Sequence, residues 1–121
     1  MVEQAESVSI YDGGDNDVSG GVLVARINSS LVLTCRSTGG RPLPTLSWQS
    51  SGHRPVQGNQ TVSVGSEVSS VLMLTRLQAR DANSQISCIA HNNQLELPPS
   101  ATVTLDIVLG RSSQILTLIF H

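Results

Sequence analysis

Aromatic residues are nearly missing: Tyr11, Trp48 and Phe120 are the only three in 121 residues. A core built without them must be filled by Leu, Val and Ile, and β-branched side chains of that kind pack best on a pleated surface. Lysine is absent, so all seven basic residues are arginines, set against nine acids for a formal net charge of −2. A chain so close to neutral presents no basic footprint for nucleic acid or anionic lipid. No apolar run reaches the roughly eighteen residues that a membrane-spanning helix needs. Met1 to Glu6 is polar and lacks the apolar stretch of a secretory leader. Met1 therefore reads as an added start, or as the beginning of a fragment whose leader lies outside this sequence.

Patterns for catalysis and metal binding are also lacking. The serines are many, but none sits in a glycine-flanked nucleophile elbow. His53, His91 and His121 are spread over separate turns and the terminus, without companion ligands at metal spacing. No phosphate-cradling glycine loop precedes a helix, and no helix is predicted. The expectation is no catalytic residue, no metal site, no cofactor and no small-molecule substrate. Asp12-Gly13-Gly14-Asp15-Asn16-Asp17 has the oxygen side chains of a calcium loop but not the bidentate acid that closes one, so it reads as a flexible turn.

What the chain does have is alternation. Leu31-Val32-Leu33-Thr34-Cys35-Arg36 places Leu31, Leu33 and Cys35 on one face of a strand. Thr45-Leu46-Ser47-Trp48-Gln49 does the same with Leu46 and Trp48, and Gln85-Ile86-Ser87-Cys88-Ile89-Ala90 with Ile86, Cys88 and Ala90. Period-two runs of this length mark half-buried strands. Two cysteines on two such strands, with a tryptophan on a third between them, have the spacing of an immunoglobulin-type sandwich.

The chain resembles an immunoglobulin superfamily domain of the C2 type over Val8 to Leu109. Within that superfamily it is similar to the adhesion-receptor branch of nectins, nephrin-like proteins and, most closely, the arthropod Sidestep receptors. The residues carrying the closer likeness are Ile10-Tyr11-Asp12, Cys35 followed by Gly39-Gly40-Arg41-Pro42-Leu43-Pro44, Trp48, Cys88-Ile89-Ala90-His91-Asn92-Asn93, and Pro98 to Asp106. The resemblance implies an all-β fold, an immunoglobulin-like antiparallel β-sandwich with Greek-key connections. It implies one inter-sheet disulfide between Cys35 and Cys88, with Trp48 in the core beside it. An even cysteine count suited to one bridge favours an oxidising compartment. The other reading is a cytosolic muscle-type domain with both thiols free.

The domain organisation expected is a flexible N-terminus over 1–7, the immunoglobulin-like domain over 8–109, and a tail of uncertain structure over 110–121. Gly21 to Val24 should be a short strand crossing to the second sheet. Strand character after Cys35 should end at Arg36, with Gly39 to Pro44 forming a turn. Thr61 to Val64 reads as a short strand whose sheet is left open. Val68 to Thr75 is a longer strand with Ser70, Leu72 and Leu74 inward and Val71 and Met73 outward. With Val32 these form a small outward apolar group. In many immunoglobulin domains a tyrosine stands two residues before the second cysteine; here that position is Ile86, which fits the C2 adhesion branch. Arg80 and Arg76 are near enough in sequence to pair with Asp81, but spacing alone does not decide the partner. Gln114 to Phe120 is apolar and rich in β-formers, able to add a strand to an edge, to pair with a second copy or to aggregate.

Asn28-Ser29-Ser30 and Asn59-Gln60-Thr61 are candidate N-glycan acceptors at Asn28 and Asn59. A flat, mostly neutral face is expected from Gln49, Gln85, Ser87, Ile89, Thr102, Thr104 and Asp106, of a kind that suits protein–protein contact without strong charge steering. The resemblance thus implies a non-enzymatic extracellular module of a cell-surface adhesion or guidance receptor. It would bind another immunoglobulin-type surface protein, heterophilic or homophilic, of the Beaten path type in the Sidestep case, with its parent membrane-anchored outside this fragment. A soluble immune-recognition protein and a structural spacer without its own ligand are the alternatives.

Overall fold

Alternation of apolar and polar residues becomes two four-stranded sheets. The computed structural model describes residues 3–52, 54–59, 61–92 and 97–109. The strands are β1 (Glu3–Tyr11), β2 (Val22–Arg26), β3 (Leu31–Arg41), β4 (Thr45–Ser50), β5 (Val62–Val64), β6 (Glu67–Leu74), β7 (Gln85–His91) and β8 (Ser100–Val108). One sheet has the order β1-β3-β6-β5, the other β2-β8-β7-β4. His53, Asn93, Gln94, His121 and the apolar run Gln114 to Phe120 lie outside the described residues.

The inward positions of both sheets meet in one core. Leu33 and Cys35 on β3 and Val68, Leu72 and Leu74 on β6 face Leu46 and Trp48 on β4, Ile86, Cys88 and Ala90 on β7, and Val103 and Leu105 on β8. Ile10 closes the core from β1 and Leu77 from the turn after β6, both fully buried. The Cys35–Cys88 disulfide joins β3 to β7 and therefore one sheet to the other. Closing a loop of 53 residues in the unfolded chain is worth about 4 kcal/mol on a chain-entropy basis. Trp48 lies beside it, 8% exposed, and its indole Nε1–H donates to Ser70 Oγ at 3.1 Å. That bond satisfies the one polar atom of a large apolar side chain inside the sandwich.

Several expectations are corrected. The first strand begins at Glu3 rather than Val8, because its main chain continues to pair with β3, Glu3 opposite Arg41 and Ala5 opposite Gly39. Backbone pairing needs no apolar side chain, so this extension leaves no periodic signal. For the same reason β3 runs to Arg41 instead of ending at Arg36. Gly39 and Gly40 take φ of 76° and 93° within that extension, a backbone shape glycine adopts without steric cost. The sandwich is not wholly antiparallel: β2 runs parallel to β8, Val22 opposite Thr104 through Arg26 opposite Val108. A strand that crosses from the other sheet has no hairpin joining it to its neighbour and is not bound to run against it. The short strand β5 pairs with β6, placing it in the first sheet.

The loop between β1 and β2 is held by its own acids. Asp12 Oδ1 accepts from the main-chain N–H groups of Gly14 and Asn16, each at 2.9 Å. The Asn16 main-chain bond is the largest influence holding the Asp12 carboxyl below its ordinary range. Asp15 is paired with Arg36 at 2.8 Å, and that guanidinium lies 4.5 Å from the Tyr11 ring centre.

Asp81 pairs with neither Arg80 nor Arg76. It sits on a single 3-10 turn, Ala79–Asp81, is 4% exposed, and takes a two-pronged contact from Arg54: Nη2 to Oδ2 at 2.8 Å and Nε to Oδ1 at 3.2 Å. Asp81 Oδ2 also accepts from Gln78 N–H at 2.7 Å. The Arg54 hydrogen bonds, and after them the Gln78 N–H, hold the Asp81 carboxyl below the usual carboxylate range against the opposing pull of burial. The planar guanidinium fork suits this two-pronged geometry.

Two predictions follow from these contacts. A group whose folded pKa is depressed stabilises fully above its unfolded value, about 3.9 for Asp, and loses that stabilisation as pH falls through the lower folded value. Arg54→Met should cost roughly 3 kcal/mol at neutral pH in urea unfolding, since it leaves a buried carboxylate unpaired, and the gap to wild type should shrink as pH drops below about 4. Equal stability at neutral pH would show that the pair is not formed. The second concerns Gly58, whose hypothetical Cβ would overlap the indole Nε1 and Cδ1 of Trp48 and Ser70 Oγ. Gly58→Ala should lower stability by about 2 kcal/mol through overpacking, with Trp48 fluorescence reporting the transition.

Candidate functional site

The outer surface of the second sheet is assembled row by row from its register. Gln49, Ser87 and Thr102 lie side by side on β4, β7 and β8, and Ser47, Ile89 and Ser100 form the next row. Gln85, Thr104 and Val22 make a third row reaching β2, and Asp106 stands opposite Val24. The alternation that buries Trp48, Cys88 and Val103 turns each of these residues outward. The structure thus places Gln49, Gln85, Ser87, Ile89, Thr102, Thr104 and Asp106 on one side of one sheet. Asp106 sits past the end of β7 pairing, beside β2 alone.

Two pairs of polar groups here are engaged with each other. The Ser87 and Thr102 hydroxyls hydrogen-bond at 2.8 Å, and Ser47 Oγ lies 2.8 Å from His91 Nε2. His91 therefore ends β7 as an exposed strand residue in contact with β4, rather than standing in a turn. A hydroxyl beside an imidazole has the first contact of a nucleophile and its base. No carboxylate among the described residues hydrogen-bonds this imidazole, and the pair lies on an open sheet. Its visible effect is to tie two strands together through their side chains. Among the described residues no group of three His, Cys, Asp or Glu side chains is gathered as for a metal ion.

Sequence reasoning missed part of this surface. Val22 and Val24 are 63% and 59% exposed and extend it along the free edge. They stand in the run Val22-Leu23-Val24-Ala25, where every residue is apolar. Alternation is invisible in such a run, although only Leu23 and Ala25 pack on the core. The Ser47–His91 pair was equally hidden, since its members are 44 residues apart and meet only through the β4–β7 register.

The two candidate glycan acceptors are both exposed. Asn28 takes φ of 67° in the turn before β3 and donates its N–H to the Leu77 carbonyl at 2.7 Å. Asn59 is bound by main chain and side chain to Val71 on β6, its side-chain Oδ1 accepting from Val71 N–H at 2.7 Å.

Two sheets bridged by a disulfide with a tryptophan packed beside it define an immunoglobulin-like domain. A family profile for CD80-like C2-set immunoglobulin domains matches residues 16–98, and the chain belongs to that family. No curated protein matches it in sequence. Among solved structures it is similar to mouse nectin-like molecule 4, full ectodomain, at 18% identity and TM-score 0.67, covering 89% of this chain and 35% of that one. Rst D1-D2 is similar at 18% identity and TM-score 0.62, with 88% of this chain and 51% of that one covered. Dpr2 Ig1-Ig2, solved in complex with DIP-Theta Ig1-Ig3, gives a match at 16% identity and TM-score 0.60, covering 84% and 32%. The chain spans about a third to a half of the length of these relatives. At such identities the likeness shows the fold.

Proposed function

We propose that this domain is a non-enzymatic recognition module of a cell-surface adhesion receptor, and that it meets a second immunoglobulin-type protein through the outer surface of the β2-β8-β7-β4 sheet. The observation that carries this reading is the character of that surface. It is largely uncharged, its Ser87 and Thr102 hydroxyls are paired with each other, and it surrounds a half-buried Ile89 with exposed Val22 and Val24 at one edge. The paired hydroxyls need no new partner in a complex, and the neutral amides of Gln49 and Gln85 are left to hydrogen-bond across it. The buried Cys35–Cys88 bridge supports an extracellular setting, where disulfides persist. The adhesion-receptor neighbours support the same setting, and the Dpr2 structure supports a partner of the same fold, since Dpr2 was solved bound to DIP-Theta. Within the branch, the Sidestep likeness favours a role in nerve-cell guidance, with a membrane anchor elsewhere in the parent.

A binding screen against surface immunoglobulin proteins tests this. Ile89→Asp and Thr104→Arg each place a charge inside the contact and should weaken binding about tenfold or more, roughly 1.4 kcal/mol or above. Ser63→Arg, on the far sheet, should leave binding unchanged. Full binding by both Ile89→Asp and Thr104→Arg would assign the contact to another surface.

A further inference from the structure

The outer surface of the first sheet carries apolar side chains on β5 and β6, with Ser69 and Glu67 opposite the β5 valines. Val62 and Val64 are 53% and 76% exposed, and Met73 is 61% exposed. Val71 lies between, on the same side of β6 as Met73 and roughly 7 Å from it along the strand. Met73 stands opposite the half-buried Val32 of β3. Edge strand β5 pairs with Glu67 to Ser69 only. Past it, Asn59 takes the place of a strand: its N–H donates to the Val71 carbonyl at 2.8 Å and its Oδ1 accepts from Val71 N–H at 2.7 Å. Ser70 Oγ, itself the acceptor for Trp48, donates to the Asn59 carbonyl at 3.0 Å.

Asn59 is thus held rigidly at the rim of this apolar surface with its amide oxygen already used. Its Nδ2 makes no hydrogen bond among the described residues, and the residue is exposed. It opens the acceptor Asn59-Gln60-Thr61. The Thr61 hydroxyl accepts from Leu46 N–H at 3.0 Å, so both ends of the acceptor are tied to the two sheets once the sandwich closes.

We propose that Asn59 carries an N-linked glycan that lies along the β6 edge and covers Val71 and Met73. This rests on the extracellular placement proposed above, since only a chain entering the secretory pathway meets the donor, a lipid-linked oligosaccharyl pyrophosphate. In the transfer a bond forms between Nδ2 and the sugar C1, and the bond from C1 to the pyrophosphate oxygen breaks. The lipid pyrophosphate leaves and Nδ2 gives up one proton. Because Asn59 Oδ1 and Thr61 Oγ1 are both bound in the folded domain, the transfer belongs to the unfolded chain. The amide oxygen survives the reaction, so the bond to Val71 N–H is kept. The C–H faces of the sugars are an apolar cover for side chains that otherwise meet water, and they leave the β2-β8-β7-β4 surface open.

The test secretes the full chain from cultured eukaryotic cells beside Asn59→Asp and Thr61→Ser. Asn59→Asp keeps an oxygen for Val71 N–H but cannot take a glycan, and Thr61→Ser keeps the acceptor. Peptide mapping should find Asn59 occupied in wild type and Thr61→Ser, whatever the state of Asn28. Peroxide should then convert Met73 to its sulfoxide severalfold more slowly in wild type than in Asn59→Asp. Wild type trimmed enzymatically to its first sugar gives the same comparison without a substitution, and should oxidise at the faster rate. An unmodified Asn59 overturns the site, and equal Met73 oxidation in intact and trimmed chains overturns the covering. Failure of the recognition surface would show only in the Ile89 and Thr104 variants and would leave both readouts unchanged.

Discussion

The cross-sheet tie between Cys35 and Cys88, with Trp48 packed against it, is the contact on which the rest of the domain depends. Each sheet buries one face only against the other, and the core is aliphatic apart from a single indole. With so few large side chains, the area that burial removes from water is limited, and a covalent link that shrinks the unfolded ensemble is a large share of a marginal total. The indole extends the tie outward. Its N–H reaches Ser70, Ser70 reaches Asn59, and Asn59 closes the open edge of β6. One connected set of contacts therefore runs from the disulfide to the rim of the sandwich.

Exposed sheet edges invite unwanted pairing, and this domain manages them with side chains as well as strands. β6 is covered first by three residues of β5, then by Asn59, and then by Arg54, whose guanidinium donates to the Thr75 and Arg76 carbonyls while gripping Asp81. The described residues between β4 and β5 form no strand or helix, yet they supply the fastening for that edge. The second sheet is edged by β2 and β4, which leaves its broad middle, β8 and β7, for presentation.

Much of this was legible in the sequence where side-chain alternation carries the information. The strands bearing Cys35, Trp48 and Cys88 and the inward set Ser70, Leu72 and Leu74 follow from periodicity, while the crossing strand expected at Gly21 to Val24 follows from the family likeness. Where structure rests on the main chain, the pattern is silent: Glu3 to Ser7 pair with β3 through groups every residue has. Where it rests on contacts between distant residues, spacing does not decide. Asp81 has two arginines close by in sequence, but it is Arg54 that the fold brings within 2.8 Å. The exposed valines of β2 were masked for a third reason, since a run of apolar residues does not say which ones face water. The outward surface of the candidate site could be listed from parity, whereas its hydroxyl pairing and its apolar edge needed the register between strands.

The two outer surfaces divide the work of the domain. One presents paired hydroxyls, amides and a central isoleucine; the other carries valines and a methionine beside a rigid asparagine. Both are held in shape by the same bridged core. The most direct test of that dependence is urea unfolding of the oxidised chain against the reduced chain, followed by the fluorescence of Trp48, the only tryptophan in the sequence. The account predicts that reduction moves the transition to much lower urea, a loss on the order of 4 kcal/mol. Coincident curves would contradict it, because the core would then stand without its tie.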